Sequence, residues 1–261
     1  ILQIARSIAK ETGERNLCLA GGVALNCVAN GILLREKIFD KIWIQPAAGD
    51  AGGALGAALS TWYLHHKNVR KKPIQGDAMK GAFLGPKFCD SEIEVDLKNC
   101  GAVYKKLSEN DLINEVATAL ENKKAIGWMQ GRMEFGPRSL GGRSIIADPC
   151  SSLMQKQLNL KVKYRESFRP FAPSILREDV TDWFEHDTDS PYMLLVANVK
   201  KNKCHIMTAE ESALFGLDKL NVSRSSVPAI THVDYSARIQ TVHADTNPLY
   251  HAVITKFKEK T

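Results

Sequence analysis

The sequence predicts two unlike parts, an α/β part followed by an α+β part, and three observations support this division. Over residues 1–66, short apolar runs alternate with helical periodicity, which is typical of strands and helices packed in layers. Residues 67–80 are basic and show little periodic apolarity, which indicates a linker. Residues 81–261 hold a helix, a loop rich in Gly and Arg, and several strand-like runs, which we interpret as helices with a mixed or antiparallel sheet.

The elements of the first part follow in a regular order. Apolar residues recur at helical spacing from residue 1, and Gly13 is a suitable end for this helix. Short apolar runs that stop at Gly or Pro predict buried strands. The predicted strands are 16–20 and 41–46, and the predicted helices are 1–13, 23–36 and 51–66.

In the second part, a helix is predicted over 111–122 and a strand over 125–129, with further strands at 192–199 and 237–242. The chain begins inside one helical pattern and ends at 257–261 in another, without a stop signal. We therefore expect both ends to be cut from a longer protein.

The composition is that of a soluble globular protein, with 44% hydrophobic and 25% charged residues among 261. No apolar stretch approaches the roughly 20 residues that span a bilayer, so we expect no membrane insertion. The six cysteines form no CxxC pair, which predicts reduced core thiols in a cytoplasmic protein.

Two strand–glycine–helix junctions are candidate sites in the first part. Gly21-Gly22 follows the first strand and opens a helix that begins Val23-Ala24-Leu25-Asn26. Glycines let the backbone approach a phosphate, and a helix N-terminus favours negative charge, but such a turn is also a common tight connection. At the second junction, Asp50 opens the next helix, where a carboxylate serves as an N-cap or as a metal ligand.

The segment 131–170 has the densest charge, with eight basic and three acidic residues, so most of the net charge of +6 lies there. Arginine forks bind phosphate oxygens in pairs, and interleaved Gly and Pro leave room for a ligand. An anion site and a solvated basic face are both possible explanations. A groove for nucleic acid is a third, and Phe135, Phe168 and Phe171 would have to be exposed for stacking. The basic residues are Arg132, Arg138, Arg143, Lys156, Lys161, Lys163, Arg165 and Arg169.

The runs GGVALN and QPAAGDAGGALGAAL resemble the actin and sugar-kinase superfamily and, more narrowly, the metal-binding domain of carbamoyltransferases of the nodulation-protein and antibiotic-tailoring type. The resemblance implies that residues 1–66 are the end of that domain. It implies that Asp50 completes an iron site with two upstream histidines, for which the exposed His65 and His66 are no substitutes. It also implies that carbamoyl adenylate is bound by Gly21, Gly22, Val23 and Asn26.

The runs GRMEFGPRSLGGRSIIADP, KVKYRESFRPFAPSIL and PAITHVD are similar to the second domain of the same family, which has a YrdC-like α+β fold. This implies that residues 81–261 form an adenylate from ATP, with Arg138 and Lys163 as catalytic residues. The family continues beyond residue 261 into a further pocket strand. The resemblance implies that ATP and carbamoyl phosphate are bound by Arg132, Arg138, Arg143, Ser144, Lys163, Arg165, Arg169, His232 and Arg238. His232 is equally well interpreted as a structural histidine.

The resemblance therefore predicts an ATP-dependent O-carbamoyltransferase. It would use ATP with Mg²⁺, Fe²⁺ or another divalent metal at Asp50, and carbamoyl phosphate, and its acceptor would be a small molecule with a hydroxyl group. Three alternatives stay open. They are a threonylcarbamoyl-type tRNA-modifying enzyme, a non-catalytic RNA-binding module, and a regulatory nucleotide-binding protein. The modest net charge does not by itself argue for a nucleic-acid partner, and we expect none.

Overall fold

The computed structural model describes residues 1–71, 73 and 76–261, so Lys72, Ile74 and Gln75 of the predicted linker lie outside the described residues. The first part is a helix followed by a β-α-β-α unit, as the apolar pattern predicted. Its two strands pair in parallel, with Asn16 opposite Lys41 and Leu19 opposite Ile44. The elements are α1 (Leu2–Thr12), β1 (Asn16–Leu19), α2 (Cys27–Arg35), β2 (Lys41–Ile44) and α3 (Asp50–Ser60).

Two boundaries in this part differ from the sequence prediction. The helix predicted over 23–36 is a 3-10 turn, Gly22–Leu25, followed by α2. Asn26 separates them because its side chain accepts a hydrogen bond from the amide of Ala29 at 3.1 Å and so caps the helix. The helix predicted over 51–66 is α3 followed by a π-helical turn, Thr61–His65.

The second part combines helices with two small sheets, which agrees with the predicted α+β class. Strands β3 and β4 form an antiparallel pair, and β7 lies between β5, to which it is parallel, and β6, to which it is antiparallel. The actin-like and YrdC-like assignments stay predictions. The elements are α4 (Asp90–Asn99), α5 (Glu109–Glu121), β3 (Ile126–Met129), β4 (Arg143–Ile146), α6 (Met154–Lys161), β5 (Ser174–Leu176), α7 (Val180–Trp183), β6 (Leu195–Asn198), α8 (Ala209–Ala213), α9 (Gly216–Leu220), β7 (Ser236–Val242) and α10 (Pro248–Lys260).

One hydrophobic cluster runs across the predicted domain boundary. It joins Ala24 and Ile44 of the first part to Leu140 and Leu194 of the second, and it also contains Met79, which is only 4% exposed. The end of the predicted linker is therefore packed in the core. The division into domains at 1–66 and 81–261 stays a prediction, but the two parts share this core.

Helix α2 lies directly on strand β6. A Cβ atom at Gly31 would lie 2.5 Å from the carbonyl oxygen of Val196, so only glycine allows this approach. Arg35 Nη1 donates to the same carbonyl at 3.1 Å, and Asn30 Nδ2 donates to Leu194 O at 3.1 Å. The first part is thus anchored on an edge strand of the three-stranded sheet.

Asp77 makes a second connection between the parts. Its Oδ1 accepts a hydrogen bond from the Tyr192 hydroxyl at 2.7 Å, and its Oδ2 accepts one from Trp43 Nε1 at 3.1 Å. Burial and then the bond to Asp77 raise the pKa of Tyr192 well above its ordinary value, so this hydroxyl keeps its proton. The carboxylate therefore holds β2 against the segment that leads into β6.

Two further expectations concern the burial of the cysteines and the presence of a membrane-spanning helix. All six cysteines lie in described residues and are free, but four are exposed and two half-buried, so the prediction of core thiols is wrong. Cys18 lies in strand β1, and the other five lie at helix ends or in loops. In the described part of the chain, no helix has the length and apolarity to cross a membrane.

Candidate active site

The Gly- and Arg-rich segment is the long connection between β3 and β4, and it lies against both glycine junctions of the first part. Gly136 has a φ of 141°, and a Cβ there would lie 3.0 Å from Pro46 O, just ahead of α3. Arg138 Nη2 donates to Leu25 O at 3.2 Å, just ahead of α2. Residues 136–138 therefore sit where the two junctions meet.

Three arginines form a cluster at this point. Burial lowers the pKa of the Arg238 guanidinium, and the charges of Arg138 and Arg165 lower it further, while Cys27 acts in the opposite direction. Within the described residues, none of the three arginines forms an ion pair, and the Nε of Arg138 is buried without a hydrogen-bond partner. Adjacent like charges repel at short range, so a bound anion would relieve this repulsion.

Cys27, the first residue of α2, lies beside this cluster, because its side chain raises the pKa of Arg238. The structure thus brings Arg138, Arg165 and Arg238 of the second part together with the helix start that follows Gly21-Gly22. The sequence analysis did not single out Cys27. Its position directly after the GGVALN run was the available signal.

A buried carboxylate shapes the β3–β4 connection. Glu134 is 8% exposed, and its Oε1 accepts hydrogen bonds from the amides of Leu140 at 2.7 Å, Gly142 at 2.8 Å and Arg143 at 3.2 Å. These bonds close the loop that carries Arg138. The sequence analysis counted Glu134 only as a charge, although an acid among glycines is a frequent acceptor for loop amides.

Asn159 shapes the second basic loop, which follows α6. This fully buried side chain donates to Ser167 O at 3.0 Å and Arg169 O at 2.8 Å, and it accepts from Arg165 Nε at 2.7 Å. The guanidinium of Arg165 also lies 5.1 Å above the ring centre of Phe171. Asn159 therefore orients Arg165, a role that the sequence pattern did not reveal.

The other predicted phosphate ligands lie around the cluster with different partners. Lys163 is exposed and forms no ion pair with any described residue. Arg169 pairs with Glu166 at 2.8 Å, and Arg132 donates to Gly85 O at 3.0 Å. Of these three cations, Arg169 is paired with a carboxylate, whereas Lys163 and Arg132 form no ion pair with a described residue.

Arg143 and Ser144 are engaged in their own loop. Arg143 Nη1 donates to the carbonyls of Gln130 and Gly142 at 2.8 Å, and Ser144 Oγ accepts from the amide of Gly141 at 3.0 Å. The sequence placed both residues in a loop, but they begin strand β4. Their predicted contact with a ligand stays a prediction.

His232 is half-buried beside Ser236. Burial lowers the pKa of His232, as does the charge of Arg238, while Asp234 raises it, and the imidazole is thus neutral near pH 7. Ser236 Oγ donates to Asp234 Oδ1 at 2.6 Å and lies 3.0 Å from His232 Nδ1. The proton is therefore best placed on Nδ1, which leaves Nε2 as an acceptor. A neutral imidazole fits the structural and proton-carrying interpretations, and the predicted contact of His232 with phosphate stays a prediction.

The first glycine junction is open to solvent. Gly21 has a φ of 91°, and a Cβ at Gly21 or Gly22 would meet no atom within 4 Å. Val23 is 69% exposed. These residues are accessible to a ligand, whereas the side chain of Asn26 is used as the cap of α2.

Asp50 lies at the other junction and is exposed. The N-cap of α3 is Gly49, so the capping interpretation of Asp50 is wrong, and its carboxylate makes no hydrogen bond to a described residue. Because β1 and β2 are parallel, Asp50 and Gly21-Gly22 lie at the same edge of the sheet. Among the described residues, no three His, Cys, Asp or Glu side chains are grouped to hold a metal. A free carboxylate fits one metal ligand, and the others would have to come from elsewhere.

The arginine cluster fits an anion site, and comparison with known proteins gives the family of the chain. A family profile described as "Carbamoyltransferase C-terminus" matches residues 117–261, and one described as "Carbamoyltransferase N-terminus" matches residues 1–59. The chain therefore belongs to the carbamoyltransferase family.

Curated relatives match over nearly the whole chain. The chain is 57% identical to the uncharacterized protein sll1178 of Synechocystis sp. over 100% of its own length and 43% of that protein. It is 40% identical to nodulation protein NolO of Bradyrhizobium diazoefficiens, over 97% of the chain and 42% of the relative. Identity to nodulation protein U of Rhizobium tropici is 32%, over 95% and 37%. The chain thus spans less than half the length of these relatives.

Proposed function

We propose that the chain is part of an ATP-dependent O-carbamoyltransferase that activates carbamoyl phosphate and transfers the carbamoyl group to a hydroxyl of a small-molecule acceptor. The observation that supports this most directly is the cluster of Arg138, Arg165 and Arg238, which has no carboxylate partner among the described residues. A site with three unneutralised guanidiniums suits a polyphosphate. Its contact with the Gly21-Gly22 junction suits a reaction that uses both parts.

In the first step, carbamoyl phosphate is hydrolysed to carbamate and phosphate. A carbamate oxygen then attacks the α-phosphorus of ATP, the bond to the β-phosphate oxygen breaks, and pyrophosphate leaves with its electron pair. The products are carbamoyl adenylate and pyrophosphate. Arg138, Arg165, Arg238 and Lys163 stabilise the charge on the leaving phosphates, and Mg²⁺ accompanies the nucleotide.

In the second step, the open turn at Gly21, Gly22 and Val23 receives the adenylate. The acceptor hydroxyl attacks the carbamoyl carbon, AMP leaves, and the hydroxyl proton is lost. Asp50 would provide one ligand to Fe²⁺ or another divalent metal, which supplies carbonyl polarisation when bound. The short path between cluster and turn limits loss of the adenylate to water.

Two observations weigh against the RNA-binding alternative. Phe171 packs against the hydrophobic core and lies beneath Arg165, and Phe135 packs against the shared core cluster. Neither ring is free to stack on a base. The tRNA-modifying alternative uses the same adenylate chemistry, and dependence on carbamoyl phosphate separates it from the proposal.

The test is detection of carbamoyl adenylate by mass spectrometry after incubation with ATP, Mg²⁺ and carbamoyl phosphate. We expect the adenylate with the unmodified chain and not with Arg138→Met. Arg6→Met is the matched control, because Arg6 lies on α1 in an exposed ion pair with Glu36. The same substitutions are made in the full-length parent, since the chain alone lacks the rest of the enzyme. Adenylate that forms equally in all three proteins, or in none of the full-length proteins, would contradict the proposal.

A further inference from the structure

Helix α6 has an outward face that is both apolar and basic. On its inner side, Met154 and Leu158 are 2% and 5% exposed and pack in a core cluster. Leu153, at the N-cap, and Leu160 are 62% and 48% exposed, and because they are seven residues apart they lie on the same side of the helix. Two large apolar side chains next to each other in solvent indicate a surface that a partner covers.

The same side of α6 carries unpaired positive charge. Lys156 and Gln157 are exposed and lie between the two leucines at helical spacing. The helix contains two lysines, Lys156 and Lys161, and no acidic residue, and neither lysine forms an ion pair with a described residue. We call Leu153, Lys156, Gln157 and Leu160 the basic face.

Helix α4 has an outward face of opposite charge. The helix carries four acidic residues and one lysine, and it buries none of its ten residues. A helix this short depends on packing for its stability, so α4 gains by binding a partner. Val95 is 55% exposed, and Asp96 is exposed and forms no ion pair with a described residue. We call Glu92, Val95, Asp96 and Asn99, which have the same spacing as the basic face, the acidic face.

We propose that the basic face of α6 binds the acidic face of α4 on a second copy of the chain. The polar residues of both faces are exposed, so the two faces do not pair within one chain. Opposite charge brings Lys156 towards Asp96, and the leucines of one face cover Val95 of the other. Because each copy provides both faces, a two-fold symmetric dimer makes this contact twice.

The test is sedimentation velocity of the chain at about 0.1 M salt and at concentrations up to about 100 µM. We expect a dimer. Lys156→Glu or Asp96→Lys alone should weaken it at least tenfold, because each change places like charges opposite one another. An equimolar mixture of these two variants should restore the dimer, since both contacts of the mixed dimer again join opposite charges. Lys124→Glu is the matched control, because Lys124 is an exposed lysine after α5, and it should leave the dimer unchanged.

Leu160→Ser tests the apolar part of the contact and should weaken the dimer several-fold without a change of charge. A chain that is monomeric throughout this range would overturn the proposal. So would a dimer that Lys156→Glu and Asp96→Lys leave unchanged, or one that their mixture fails to restore. If a monomeric chain sediments with vesicles of phosphatidylcholine and phosphatidylglycerol, and Lys156→Glu does not, the basic face binds an anionic membrane and the dimer proposal is wrong.

Discussion

Arg138 and Leu25 are joined by a hydrogen bond from Nη2 to the backbone carbonyl, at 3.2 Å, although they lie 113 residues apart. The bond connects the β3–β4 loop to the turn that precedes α2. The same guanidinium has an unpartnered Nε and a cationic neighbour in Arg238. One side chain thus contacts the first part of the chain and contributes charge to the cluster in the second.

Replacing Arg138 should weaken polyphosphate binding. Hydrogen bonds to charged groups contribute about 1.5–3 kcal/mol, so Arg138→Met should weaken tripolyphosphate binding at least tenfold. Arg138→Lys keeps the positive charge but loses the two-pronged guanidinium. Its affinity for tripolyphosphate should lie between those of the unmodified chain and Arg138→Met. Calorimetric titration measures the change, with Arg6→Met as the control. Unchanged affinity in Arg138→Met would remove this residue from the anion site.

Asn159 should matter both for stability and for the position of Arg165. Asn159→Ala removes three hydrogen bonds, two to the carbonyls of Ser167 and Arg169 and one from the Arg165 Nε, so we expect a loss of about 2–4 kcal/mol in urea unfolding. The alanine variant, measured where it is folded, should also bind tripolyphosphate more weakly than the unmodified chain, because Arg165 is no longer held in place. In an Arg165→Met background the same Asn159→Ala change should have little further effect on this affinity. An equal loss of affinity in the two backgrounds would show that Asn159 does not act through Arg165.

Gly31 should tolerate no side chain. Gly31→Ala places a Cβ against the backbone oxygen of Val196, so α2 must move away from β6, at a cost of about 1–3 kcal/mol in unfolding free energy. Gly56 on α3 is the matched control, because a Cβ there meets no atom within 4 Å. Gly56→Ala should be neutral or stabilising by up to about 1 kcal/mol. A Gly31→Ala chain as stable as the control would disprove the close approach.

His232 should make stability depend on pH. Burial lowers its pKa in the folded chain, with Arg238 acting in the same direction and Asp234 opposing. The unfolded chain therefore binds a proton more readily than the folded one below about pH 6.5. The contribution is fully present above that pH and is lost as the pH falls towards the folded pKa.

Urea unfolding at about pH 7.5 and about pH 5.5 measures this contribution. The unmodified chain should lose more free energy of unfolding on acidification than His232→Gln. His186, whose pKa is also lowered by burial, is present in both proteins and so cancels in the comparison. An identical pH dependence in the two proteins would refute the prediction.

Periodic apolar patterns accounted for much of the fold. They indicated α1, α5, the paired strands β1 and β2, and the central strand β7, because each buries one face or both in a regular repeat. Elements without such a pattern were missed. Helix α4 buries none of its residues, β5 has only three residues, and β4 starts with the polar pair Arg143 and Ser144.

The site was predicted unevenly for a related reason. Residue type and family resemblance pointed to Arg138, Arg165 and Arg238, because a positively charged side chain indicates anion binding from the sequence alone. Glu134 and Asn159 were missed, since their role depends on which backbone groups the fold brings to them. The sequence also contained no sign that Arg143 donates to the carbonyls of its own loop, and its contact with a ligand stays a prediction.

The contacts of Asp77 predict what happens when the backbone is cut between the two parts of the chain. Asp77 follows the largely exposed stretch 67–71. Its carboxylate accepts hydrogen bonds from Trp43, which precedes that stretch, and from Tyr192, which follows it. The nearby Met79 packs in the core that both parts share. A protease that nicks the exposed stretch would thus cut the polypeptide without separating the halves. The two fragments would remain together as a noncovalent heterodimer, held by the same contacts that form the intact chain.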